Sequence, residues 1–140
     1  MRRGEINPYG QSAERWISQS DDAPSRHCLS RINRGREMLI CAHHPFSALQ
    51  PDAETGPILL CADAYLAFPG TRVPTVFNGA TQVLIKAYGP DEHIIYGAGA
   101  IIKTGDIKRR TTALLQTPDV QFADIRSACN KCWLACVLPQ

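Results

Sequence analysis

The residues able to do chemistry crowd into one stretch, Pro24 to Ile58, where Arg26-His27-Cys28 is followed by His43-His44-Pro45. A thiol becomes a nucleophile once a base takes its proton. His27 cannot serve Cys28 directly, because adjacent side chains on an extended segment point to opposite faces. A base for Cys28 must come from elsewhere, such as His43 or His44. Arg26 and His27 beside the thiol are the matching ligand-binding candidates. The competing structural reading buries Cys28 beside Leu29 and leaves His27 at the surface. It also has one of His43 and His44 pack while the other meets solvent.

Other residues invite chemistry and then fail on spacing. Cys129-x-x-Cys132 could begin a zinc knuckle or a redox pair, but a structural zinc site needs four ligands and no second C-x-x-C is present. Cys132 and Cys136, four apart on a strand, are ~13 Å apart at ~3.3 Å per residue and cannot share a metal. A redox motif would open a helix, whereas this one spans a turn into a strand. No metal or other cofactor is expected. Gly97-x-Gly99 lacks the third glycine and following helix of a nucleotide fingerprint. Lys103, Lys108, Arg109 and Arg110 lie on one helix and its lead-in without interleaved aromatics, which makes them a solvated face rather than an RNA surface.

The elements that would position these residues are short. The chain has 140 residues, 44% hydrophobic and 20% charged, with a net charge of +2. That reads as one soluble domain over 1–140, with 1–24 poorly patterned apart from Arg15-Trp16-Ile17 as a short edge strand. So small a charge argues against nucleic acid as a partner, and no apolar run approaches the length of a membrane span. Two arginines near the N-terminus lack the apolar core of a signal peptide, so a cytoplasmic location with reduced cysteines is expected.

Asn33-Arg34-Gly35 makes a turn, and Glu37 to Ala42 reads as a buried strand. Pro45 ends that strand, and Pro57 to Ala62 is a second. Leu39 and either Leu59 or Leu60 are expected in the core. Residues 65–79 read as irregular structure packed through Phe68, Val73 and Phe77. Gln82 to Tyr88 alternates as a strand, Gly89 to Glu92 turns, and His93 to Ile102 returns, with Gly97 and Gly99 marking a bulge or a close backbone approach. Thr104 or Asp106 caps a helix to about Gln116 with Ile107, Thr111, Leu114 and Leu115 on one face. Val120 to Arg126 and Cys132 to Leu138 are the last strands. The expected class is α+β, a mostly antiparallel β-sheet with one main helix packed on it.

In this order the segments Ser25-Arg26-His27-Cys28-Leu29, Gly35 with Met38-Leu39-Ile40, Pro45-Phe46, Gly56-Pro57-Ile58, Leu84 to Tyr88, Leu114-Leu115 and Phe122 to Val137 resemble an uncharacterised bacterial family, domain of unknown function 1203. The resemblance covers about residues 13–137 and implies no established activity. It also exposes departures. Ser25 stands where relatives open with Cys-Arg, and Lys131-Cys132-Trp133 replaces their Gly-Cys-aromatic. Asp124-Ile125-Arg126-Ser127 replaces a His-x-His-Asn, so an acid and a base occupy a strand face that would hold two histidines in relatives. Asp124 and Arg126 are therefore ligand-binding candidates, with Phe122 on their face and Ile125 opposite.

Two function classes remain. One is a non-catalytic binding or interaction domain, forming a homo-oligomer through a sheet edge. The other is a small enzyme or ligand-binding protein using Cys28 with His43 or His44.

Overall fold

Turns at Gly35, Gly89 and Lys131 cut the chain into strands too short to stand alone, so each is held by a neighbour. The computed structural model describes residues 3–70 and 72–139. The N-terminal leader reading touches Met1 and Arg2 and so lies partly outside the described residues. Nine strands and one α-helix appear among them: β1 (Glu14–Ile17), β2 (Ala23–Pro24), β3 (Arg31–Ile32), β4 (Glu37–His43), β5 (Gly56–Cys61), β6 (Gln82–Tyr88), β7 (Ala100–Lys103), α1 (Ile107–Leu115), β8 (Phe122–Ser127) and β9 (Trp133–Val137). All strand pairings are antiparallel. The single sheet expected from the sequence is three sheets, two in the first of two compact units and one in the second.

The first unit comprises residues 1–44 and 55–77. Its main sheet has the order β1-β4-β5, with Arg15 opposite Leu39 and Leu39 opposite Leu60. The turn before β4 needs positive φ at Gly35 (79°), which a Cβ would strain. Leu39, Cys41, Ile58, Cys61 and Phe77 are buried, but Leu59 and Leu60 are only half-buried. Ile58 and Cys61, each one position from the expected pair, carry the burial of the second strand instead. Val73 is likewise exposed, and Val76 in the 3-10 turn Thr75–Phe77 packs instead. β2 and β3 form a small hairpin beside this sheet. Its far end, Ser25 to Ser30, is tied to β5 through a bridge between Ser25 and Leu59.

The second unit comprises residues 45–54 and 78–140, with strand order β7-β6-β8-β9. Val83, Ile85, Ala87, Ala123 and Ile125 share one fully buried face, and α1, turning Ile107, Thr111 and Leu114 inward, packs against β8. Asp106 precedes the helix as expected, but its side chain makes no cap; it accepts from Arg109 at 3.2 Å. The return strand expected from His93 shortens to Ala100–Lys103. Gly97 takes φ 84°, and at Gly99 a Cβ would stand 3.0 Å from the Ile85 carbonyl. Backbone proximity at Gly99 replaces regular pairing there.

Candidate functional site

In the first unit Cys28 sits in a tight loop. Ser25 N–H donates to Ser30 O at 2.8 Å and closes the loop, while Arg26 N–H donates to Leu59 O at 2.8 Å and fastens it to β5. Leu29 takes φ 49°, an uncommon conformation for a bulky residue, which turns the chain back towards β3. Cys28 Sγ lies 3.0 Å from Ser30 Oγ, and the Cys61 thiol at the end of β5 hydrogen-bonds to it. The buried Ser25 hydroxyl faces the same sulfur, and Cys28 is the group it can interact with there. Partial burial works to raise the Cys28 pKa, but hydrogen bonding by Ser25, Ser30 and Cys61 outweighs it, and the thiol is held below its ordinary value.

Beside this loop opens a cleft of about 280 Å³ whose lining includes Ser30, Arg31, Arg36, Cys61, Asp63 and Tyr65. Arg36 pairs with Asp63 and donates to Tyr65 Oη at 3.4 Å. Arg31 pairs with Asp22, and Glu37, also on the lining, receives Arg15 at 2.8 Å. The cleft is polar, and its charges are matched in sign. His27 donates from Nε2 to the Tyr65 carbonyl at 3.0 Å, which anchors the loop that carries Tyr65.

The structure places the histidines that the sequence paired with Cys28 elsewhere. Cys28 meets Cys61 at one end of β5, while His43 faces Gly56 at the other. Those strand ends are about 16 Å apart. His44 Nδ1 lies 3.1 Å from Thr55 Oγ1, and burial, then the neighbouring His44, lowers the pKa of His43. Arg26 turns back to donate to the Pro24 carbonyl at 2.7 Å.

In the second unit Asp124 and Arg126 share a face of β8, as the alternation required. Arg126 Nη2 donates to Asp124 Oδ2 at 3.1 Å, and Trp133 Nε1 donates to Asp124 Oδ1 at 3.0 Å. Arg126 also pairs with Glu54, whose other oxygen receives Lys86 Nζ at 2.7 Å. Lys86, Glu54, Arg126 and Asp124 thus alternate in sign. Burial raises the pKa of Asp124 against the opposing pull of Trp133 and Arg126. Tyr88, its ring stacked on Phe122 at 4.9 Å and edge-on to Phe46 at 5.3 Å, buries a hydroxyl whose pKa desolvation raises. Cys136 opposes Asp124 on β9; the residue is exposed, yet desolvation of its thiol and then the Asp124 carboxylate push it up to about 12. The four side chains pair their charges with one another across this face of the sheet.

A further pair lay beyond sequence reasoning. Asp52 Oδ2 accepts Ile94 N–H at 2.9 Å and lies 3.2 Å from His93 Nδ1, while Oδ1 accepts Tyr96 Oη at 3.4 Å. Forty-one residues separate Asp52 from His93, so no local spacing could have signalled them. Cys61 was missed for a different reason: it ends an apolar run and reads as a core residue. Of the basic residues on α1, Arg110 donates to the Ala98 carbonyl at 2.8 Å and Arg109 to Asp106 at 3.2 Å. Among the described residues no group of three or more His, Cys, Asp or Glu could hold a metal ion, and no helix is long and apolar enough to cross a membrane.

The model of one family, Protein of unknown function (DUF1203), matches residues 22–138. No curated protein and no solved structure matches the chain.

Proposed function

On the premise that this chain belongs to the DUF1203 family, a family of unknown function, we propose that it is a non-catalytic binding domain holding a small polar molecule in the cleft beside Ser30 and Cys61. The observation that carries this reading is the lining itself. Arg36 and Asp63 present a guanidinium and a carboxylate at the mouth of an open cleft of about 280 Å³, room for a molecule of amino-acid or monosaccharide size. Both side chains are more than half exposed, so their pairing is weak enough to be exchanged for a ligand bearing groups of both signs. A cytoplasmic setting with reduced thiols is part of the same proposal.

Native mass spectrometry of the purified protein, followed by thermal melts against amino acids, sugars and phosphate esters, tests the reading. A retained or stabilising small molecule whose effect disappears in Arg36→Ala supports it. Absence of any such molecule, or an effect untouched by Arg36→Ala, rejects it. Self-association through the free edge of β1 belongs to the same reading, supported by Trp16 and Ile17, 54% and 50% exposed on that strand. Sedimentation as a monomer at all concentrations would remove that part.

A second reading, a small enzyme or ligand-binding protein using Cys28 with His43 or His44, is favoured by one observation, the lowered Cys28 thiol. The separation along β5 opposes it. Cys28 alkylation that is unchanged by replacing both histidines with alanine would reject it.

A further inference from the structure

The chain has six cysteines, and the bridge between Ser25 and Leu59 brings two of them, Cys28 and Cys61, within interaction range. Cys28 is carried to Cys61 by the backbone bond from Arg26 to Leu59, which sets the loop alongside the last residues of β5. The closed turn from Ser25 to Ser30, with Leu29 at φ 49°, keeps the sulfur there. Ser30 and Cys61 line the open cleft and Cys28 is itself partly exposed, so a small solute can reach Cys28 without unfolding the sheet. We infer that Cys28 and Cys61 form a redox pair in which Cys28 is oxidised by a hydroperoxide and Cys61 resolves it to a disulfide.

The chemistry balances in two steps. The Cys28 thiolate attacks one peroxide oxygen; the S–O bond forms, the O–O bond breaks, and the departing alkoxide or hydroxide takes a proton. Cys61 then loses its proton and attacks the Cys28 sulfur; the S–S bond forms, the S–O bond breaks, and hydroxide leaves as water. The two thiols lose two electrons and the peroxide gains two. Ser30, 3.0 Å from the sulfur, and Ser25 favour the thiolate that the first step needs.

The other cysteines lack this setting. Cys41 is buried, and burial raises its pKa; Cys136 is pushed up to about 12 by desolvation and the Asp124 carboxylate. Cys129 and Cys132 lie at the β8–β9 turn, where Cys132 Sγ points to the Asn130 carbonyl at 3.8 Å. The inference stands apart from the ligand proposed for the cleft, since the pair reacts with or without one.

The test treats the reduced 140-residue chain with a slight excess of hydrogen peroxide and maps its peptides by mass spectrometry. The expected product is a single Cys28–Cys61 link, reversed by dithiothreitol. In Cys61→Ser a sulfenic acid should be trapped on Cys28 by dimedone, and Cys28→Ser should abolish both signals. The mapping of the unaltered chain needs no variant, so a substitution that disturbs folding does not decide the result. No link, or Cys129–Cys132 as the first disulfide formed, overturns the inference.

Discussion

Arg126 donates to Asp124 at 3.1 Å from two positions along the same strand, and both side chains are almost completely buried, 5% and 1% exposed. Adjacent same-face positions on β8 thereby become an ion pair that Trp133 and Glu54 complete. Removing one member of a buried pair leaves the other charge without its partner and costs ~3–5 kcal/mol. Arg126→Ala should lose that much in urea unfolding at neutral pH. Glu54, 44% exposed, should cost only about 0–1 kcal/mol on truncation. The pH dependence has a definite sign. Because the folded Asp124 pKa is raised, its favourable contribution is present below the ordinary carboxylate value of about 4 and is lost as pH rises through the raised one. Without Arg126 it rises further, so the Arg126→Ala penalty should shrink on acidification. A penalty below about 1 kcal/mol at pH 7 would mean the pair is not carrying the sheet face.

This pair was legible in the sequence because alternation along one strand is a local rule, and so were β4, β6, the helix position and the turns at Gly35 and Lys131. Contacts between distant segments were not. The Arg26–Leu59 backbone bond that brings Cys28 to Cys61 leaves no mark in either segment's composition. Leu59 and Leu60 looked like core because they are apolar, yet a strand covered unevenly on its two faces buries Ile58 and Cys61 instead. The return strand after Gly89 failed for a conformational reason: positive φ at Gly97 breaks the ladder that its apolar residues would otherwise continue.

Cys28 should alkylate at lower pH than its neighbours. Its pKa is depressed, so the thiolate persists below the ordinary thiol value of about 8.5, and the stability it contributes is present above that value and lost as pH falls through the lowered one. Cys136, at about 12, should stay unreactive over the same range. Iodoacetamide labelling from pH 6 to pH 9, read by peptide mass spectrometry, should rank Cys28 ahead of Cys136. Ser30→Ala should move the Cys28 midpoint upward, because it deletes a hydroxyl 3.0 Å from the sulfur. An unmoved midpoint would show that Ser30 does not tune the thiol.

Asp52 should hold the Ile94 amide closed well into acid. Its pKa is lowered, first by the Ile94 N–H and further by His93 and Tyr96. A depressed carboxylate contributes above its unfolded value, and that contribution is lost only as pH falls through the depressed one. Amide exchange at Ile94 should therefore stay slow below pH ~4, the ordinary carboxylate range. Relative to the intrinsic rate at each pH, it should become faster in Asp52→Ala. Equal protection at Ile94 in both proteins would leave Asp52 without a role in closing residues 45–54 onto the Gly89 turn.

The second unit offers a comparison of two glycines that differ in one physical respect. At Gly99 an added Cβ would stand 3.0 Å from the Ile85 carbonyl, a backbone atom of a fully buried strand residue that has little freedom to retreat. At Gly105, before α1, an added Cβ meets nothing within 4 Å and φ is not positive. Gly99→Ala should therefore cost about 1–3 kcal/mol as an overpacked contact. Gly105→Ala should be neutral, or stabilising by about 0.4–1 kcal/mol, because alanine restricts the unfolded chain without strain in the folded one. Urea midpoints for the two variants, at equal slope, measure the difference directly. If Gly99→Ala is as stable as Gly105→Ala, the backbone approach between β6 and the segment leading into β7 is looser than 3.0 Å implies, and the glycine there serves the turn at Gly97 rather than the sheet.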